Sequence, residues 1–152
     1  MLKLGFIGAG NMGSAILRGL IAADYLTADD MAICDLNTRR LEELSDAYPG
    51  LTCTESDVEL AEMCDMIVLA VKPHFMAEVI EHIREELNGK AVISIAAGWT
   101  VEQLTSALEG SGATCLRVMP NTPAMVGEGM TAMCEDTTFS EEDFEFAKGI
   151  FD

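Results

Sequence analysis

The chain has 152 residues, enough for one domain that buries roughly two thirds of the surface its unfolded chain exposes, and too few for two full domains. With 49% hydrophobic and 23% charged residues it has a globular balance, and no long segment has the composition of a disordered one. Its 26 acidic and 9 basic side chains leave a net charge of −17, whose field repels nucleic-acid phosphates and anionic lipid, so neither nucleic acid nor membrane is an expected partner.

The first predicted strand, LKLGFIG at 2–8, is a nearly unbroken apolar run of the kind buried on both faces of a parallel sheet. It ends in Gly8, Gly10 and Gly13, and a helical pattern with Ala15, Ile16, Gly19 and Leu20 on its packing side begins near Asn11. MAICD at 31–35 and DMIVLAV at 65–71 are further strands, with a capping box at Ser56 and Glu59 between them. Between 74 and 88, Phe75, Val79, Ile80, Ile83 and Leu87 share one face and leave Glu78, Glu81, Arg84 and Glu85 for solvent, as in a helix lying on a sheet. KAVISIAA at 90–97, a second capping box at Thr100 and Gln103, TCLRVM at 114–119 and MTAMC at 130–134 continue the alternation. Ser140, followed by Glu141, Glu142 and Asp143, caps a last helix in which Phe144, Ala147 and Phe151 recur at helical spacing.

Strands alternating with helices through short connections predict right-handed crossovers and an α/β fold: a doubly wound, mostly parallel Rossmann-type sheet with helices on both faces. Residues 1–152 are read as one dinucleotide-binding domain, and because the sequence stops inside an amphipathic helix a further domain is expected beyond it. Cys34, Cys53, Cys64, Cys115 and Cys134 are odd in number, widely spaced and accompanied by only two histidines, which speaks against zinc and a disulfide framework and for buried thiols in a reducing cytoplasm. No basic leader or membrane-length apolar run is visible, which agrees with a cytoplasmic location.

Gly8, Gly10 and Gly13 match G-x-G-x-x-G between a strand and a helix. The first glycine serves the tight turn, the second lets backbone approach a pyrophosphate, and the third lets helix and strand pack closely. Asp35 ends the next strand 22 residues after Gly13, where a carboxylate can hold a ribose 2′-hydroxyl. Asp35 would repel a 2′-phosphate and favours NAD, whereas Asn37, Arg39 and Arg40 offer phosphate partners and favour NADP; equally, Asn37 reads as a helix cap and the arginines as a solvated face. The preference between NADP and NAD stays open.

Ligands of such sheets sit beyond the carboxyl ends of the strands, which directs attention to three later loops. In the first, VKPHF, Lys72 can meet phosphate or a ribose hydroxyl and Pro73 suits a helix start. The second, SIAAGWT, has small residues on which a flat nicotinamide can lie, and reads equally as close strand packing before a cap. In the third, MPNTPAMVGEG, Pro120 and Pro123 fix the backbone around Asn121 and Thr122 and present one amide and one hydroxyl. His74 and His82 read as surface residues, and neither is placed as a general acid.

GFIGAGNMG, AVKP, SIAAG and MPNTPAMVGEG, in this order and at these intervals, closely resemble the N-terminal domain of the pyrroline-5-carboxylate reductases across nearly the whole chain. The resemblance implies NAD(P)H-dependent reduction of 1-pyrroline-5-carboxylate to L-proline. By position, it implies a phosphate cradle of Gly8, Ala9, Gly10, Asn11, Met12 and Gly13, and an adenosine end at Asp35, Asn37, Arg39 and Asp57. Ala70, Val71, Lys72, Pro73, Ala96, Ala97 and Gly98 would flank the nicotinamide, and Asn121 and Thr122 would lie near nicotinamide and substrate. Asp35 departs from the small polar residue of NADP-preferring members, and Asp57 stands where some members carry asparagine. The family's second, helical domain supplies most of the substrate pocket and the dimer interface, so this chain is expected to hold the cofactor half and to be inactive alone. The rival readings are an oxidoreductase of another imine or a β-hydroxy acid on the same scaffold, and a non-catalytic dinucleotide sensor.

Overall fold

Six parallel strands in the order β3-β2-β1-β4-β5-β6 form the sheet of the computed structural model, which describes residues 2–8, 10–95, 101–118 and 140–151. In chain order the elements are β1 (Leu2–Ile7), α1 (Asn11–Ala22), β2 (Met31–Cys34), α2 (Thr38–Ala47), β3 (Thr52–Thr54) and α3 (Asp57–Met63). They are followed by β4 (Cys64–Leu69), α4 (Met76–Ile83), β5 (Ala91–Ser94), α5 (Val101–Leu108), β6 (Thr114–Arg117) and α6 (Glu141–Phe151). The strand order reverses between β1 and β4, and that switch point is where a doubly wound sheet opens a crevice.

Successive side chains of a strand point to opposite faces, so strands with few polar residues feed two cores at once. Leu4 and Phe6 of β1, Met31 and Ile33 of β2 and Met66 and Val68 of β4 enter the core covered by α1, α2 and α6. Ile7, Ala32, Ile67 and Leu69 enter the other, covered by α3, α4 and α5. Each fully buried large side chain adds about 1.5–3 kcal/mol over its exposed state, which explains why short strands with modest local propensity hold their register. The last helix belongs to the same body. Ala147 and Ile150 are buried in the first core, and the Tyr25 hydroxyl donates to the Phe146 carbonyl at 3.0 Å.

The predicted strands at 2–8, 31–35, 65–71, 90–97 and 114–119 are present, each shorter than its apolar run. β3 was not predicted: TCT is three residues long, partly buried throughout, and among the described residues pairs only with β2 at the sheet edge, so no apolar run marks it. The predicted helix at 74–88 is divided. Pro73 opens a 3-10 turn (Pro73–Phe75), α4 stops at Ile83, and the chain reverses at Gly89, which has φ +79. Phe75 therefore lies outside the helical register and is exposed, and Met76 takes the buried position. On α1 the large apolar side chains buried among the described residues are Ile16, Leu17 and Leu20, whereas Ala15 and Gly19 are only partly covered. The Ser56 cap forms, with the Glu59 N–H donating to Oγ at 3.2 Å, but the reciprocal arm does not: the Ser56 N–H is taken by Thr54 Oγ1, which itself donates to Glu59. Ser140 accepts from the Asp143 N–H as predicted. The strand expected at 130–134 and the cap at Thr100 lie outside the described residues.

Candidate functional site

The glycine turn lies where β1 and β4 end side by side, at the reversal of strand order. Gly8 has φ +106, and a Cβ there would stand 2.7 Å from the Ala70 carbonyl oxygen, so both backbone and space demand glycine. Hydrogen bonds of 2.8 Å fix the turn on each side, from the Gly8 N–H to the Cys34 carbonyl and from the Ala70 N–H to the Ile7 carbonyl. A Cβ on Gly13 would run into the Gly8 carbonyl oxygen and lie 3.2 Å from the Ala70 Cβ. Packing alone thus accounts for the first and third glycines.

It does not account for Gly10. Its φ of −66° and ψ of −174° suit any residue, and among the described residues no heavy atom lies within 4 Å of the point a Cβ would occupy. The open space stands in front of the 12-residue helix α1, whose N-cap is Gly10 and carries no side-chain cap. The first helical bond runs from the Ser14 N–H to the Gly10 carbonyl, so the amides of Asn11, Met12 and Gly13 are the orphan donors of the helix start. Donors in this array with the positive end of a helix dipole suit a phosphate, and they supply locally what the net charge of −17 opposes globally.

At the end of β2, the Asp35 carboxylate accepts the Asn37 N–H at 2.8 Å, and the Asp35 N–H donates to the Thr54 carbonyl at 3.2 Å. The Asn37 side chain caps α2, accepting the Arg40 N–H at 3.2 Å, so of its two readings the cap is the one formed. Arg39 is exposed. Arg40 is half-buried and, with Ser14, Ala15, Arg18 and Glu43, lines a cleft of about 280 Å³ between α1 and α2. Ser14 and Arg18 carry no motif; only the approach of α2 to α1 makes them neighbours of Arg40.

Asp57 begins α3 beyond the end of β3, and both its oxygens face His82 of α4, at 2.8 and 3.0 Å from Nδ1. The hydrogen bond and the charge of Asp57 raise the His82 pKa above its ordinary value, and Glu86 and Glu78 add to this. Cys34, buried at the end of β2, has its thiol pushed up to about 12, by burial first and then by the charges of Asp57 and Asp35. Cys34 and Thr54 are partners in the β2–β3 register, so Asp35 and Asp57 follow the same end of the sheet. Burial likewise lifts Cys64 to about 12.

On the other side of the switch point, Ala70 and Val71 touch the glycine turn, and Lys72 and Pro73 follow at the surface, with Pro73 opening the 3-10 turn. The structure so brings together Gly8, Gly10, Gly13, Ala70 and Val71, with Asp35 at the neighbouring strand end. Ala9, Ala96, Ala97, Gly98, Asn121 and Thr122 lie outside the described residues. Among the described residues no three potential ligands are grouped to hold a metal ion, and no described helix is long and apolar enough to cross a membrane.

The chain resembles curated proteins named pyrroline-5-carboxylate reductase. That of Escherichia coli is 41% identical over 150 residues, which make up 98% of this chain and 55% of the relative. A pyrroline-5-carboxylate reductase structure from Coxiella burnetii superposes with a TM-score of 0.85 at 30% identity, covering 99% of this chain and 55% of that one. A Plasmodium falciparum pyrroline carboxylate reductase with NADP bound has a TM-score of 0.78 at 29% identity, covering 99% and 54%. The chain thus spans about half the length of the relatives it matches. Residues 3–98 match the family described as NADP oxidoreductase, coenzyme F420-dependent, and with more than half of its length matched the chain belongs to that family.

Proposed function

We propose that the chain is the nicotinamide-dinucleotide half of a pyrroline-5-carboxylate reductase, which converts 1-pyrroline-5-carboxylate to L-proline in the cytoplasm. The observation that carries the reading is Gly10, a glycine that among the described residues neither backbone nor packing requires, with open space at its Cβ position before an uncapped helix start. The likeness in sequence and fold to proteins of that name supports the reaction.

The backbone of Gly8, Ala9, Gly10, Asn11, Met12 and Gly13 would hold the pyrophosphate, and Asp35 the adenosine ribose, with Asn37, Arg39 and Asp57 around it. Ala70, Val71, Lys72, Pro73, Ala96, Ala97 and Gly98 would border the nicotinamide, and Asn121 and Thr122 the substrate. When bound, NADPH or NADH would supply the two electrons, as hydride, for the C=N carbon, while the nitrogen already carries its proton in the protonated imine or takes it from water. The protein's part is orientation and electrostatics, since fixing two reactants in one geometry lowers the barrier without further chemistry. In this reading the remaining half of the protein completes the substrate pocket and pairs two subunits.

The test uses the product of the complete gene, incubated with the cyclic imine and NADPH or NADH and assayed for proline. One proline per dinucleotide oxidised is expected, with little turnover by the 152-residue chain alone. A gene product that binds dinucleotide and does not reduce this imine would overturn the reaction assigned.

A further inference from the structure

Of the Asp57–His82 pair, only Asp57 is assigned to the adenosine end of the site; its partner His82 has no role in the cofactor reading. The His82 side chain is 64% exposed, so its ion pair is screened and adds little to stability, whereas the Asp57 side chain is only 20% exposed. Thr54 of β3 pairs in register with Cys34 of β2, and the Asp35 N–H donates to the Thr54 carbonyl at 3.2 Å, so Asp57, at the start of α3 just after β3, follows the same sheet end as Asp35, the adenosine end of the site proposed above. A cofactor carrying a 2′-phosphate brings up to two further negative charges to that end, and one lacking it brings none. Two carboxylates there oppose the extra phosphate, and a cation beside one of them relieves the opposition.

We propose that His82 acts through Asp57 as a specificity-setting residue: in its protonated form it offsets the Asp57 charge and admits a 2′-phosphate, and on losing its proton it turns the site toward the dinucleotide without one. This rests on the cofactor reading above. The charged groups bearing on His82 are Asp57 from α3 and, from its own helix and the turn after it, Glu86 and Glu78; all three are acidic and all favour the imidazolium. His82 also lies in the last turn of α4, where the helix dipole favours a cation. The proton is therefore held above the pH at which an ordinary histidine loses it, and the change in preference falls on the alkaline side of that value. The second ionisation of the 2′-phosphate, near pH 6, is a separate event.

The experiment titrates NADP+ and NAD+ against the chain from pH 5.5 to 9 at low ionic strength, with His82→Gln and His82→Lys in parallel. In the unaltered protein the ratio of the NADP+ to the NAD+ dissociation constant should rise about two- to fourfold as His82 deprotonates, the size expected for one unit charge several ångströms away in a mostly aqueous medium. H82Q should hold the high ratio and H82K the low one, each following only the phosphate's own titration near pH 6. Because the histidine is exposed, both variants should melt with the unaltered protein. Equal pH profiles of the ratio in all three proteins would overturn the inference and leave the cofactor reading standing. Failure of the unaltered protein to bind either dinucleotide at any pH would overturn both.

Discussion

Replacing Gly10 by serine separates a ligand's demand for glycine from the fold's. Gly10 is the N-cap of α1 in a conformation any residue adopts, and no described residue fills its Cβ position. Serine is at least as good an N-cap as glycine, by a few tenths of a kcal/mol, and it removes about 0.4–1 kcal/mol of conformational freedom from the unfolded chain. At about 2–4 °C per kcal/mol for a domain of this size, Tm should stay level or rise by a few degrees. A ligand phosphate approaching the amides of Asn11, Met12 and Gly13 would meet the new side chain and lose at least one hydrogen bond to a charged group, about 1.5–3 kcal/mol. That loss corresponds to roughly 10- to 150-fold in Kd for NADPH and NADH alike, measured by nucleotide fluorescence beside a thermal melt. A G10S protein that melts unchanged and binds as before would refute the pyrophosphate site, and one that unfolds would show that Gly10 is held by packing after all.

Gly13→Ala should behave in the opposite way: its Cβ meets the Gly8 carbonyl oxygen, an overpacking that costs about 1–3 kcal/mol and lowers Tm by several degrees, and an unchanged melt would show that the β1–α1 approach is looser than described. Asp35→Asn keeps an acceptor for the Asn37 N–H while removing the charge, so the preference should move toward NADPH by about five- to thirtyfold (~1–2 kcal/mol); an unmoved ratio of dissociation constants would exclude Asp35 as the ribose reader. Cys34 and Cys64, with thiols held near 12, should resist iodoacetamide at pH 8 in the native protein and react once it is unfolded, as read by mass spectrometry of the labelled peptides; rapid native labelling would contradict their burial.

The sheet was legible because strands buried on both faces show as apolar runs, and the glycine turn because each of its functions requires one residue type at one spacing. β3 was not legible: a three-residue edge strand held by the main chain of β2 has no side-chain pattern to betray it. The division of the helix at 74–88 was half visible, since Pro73 marks a start, but nothing local says that the first turn is 3-10 and leaves Phe75 outside. Asn37 shows a limit of another kind. Its amide serves a cap and a phosphate equally well on paper, and the geometry of Arg40 shows the cap in place. Contacts between helices remote in sequence, such as Asp57 with His82 or Arg18 beside Arg40, follow from the crossovers and leave no trace in spacing.

The most direct test of the account is a titration of the 152-residue chain with NADPH and, separately, NADH, followed by calorimetry. Saturable binding at one site per chain, lost in G10S without loss of the fold, is the predicted result. A folded chain that binds neither dinucleotide would contradict it.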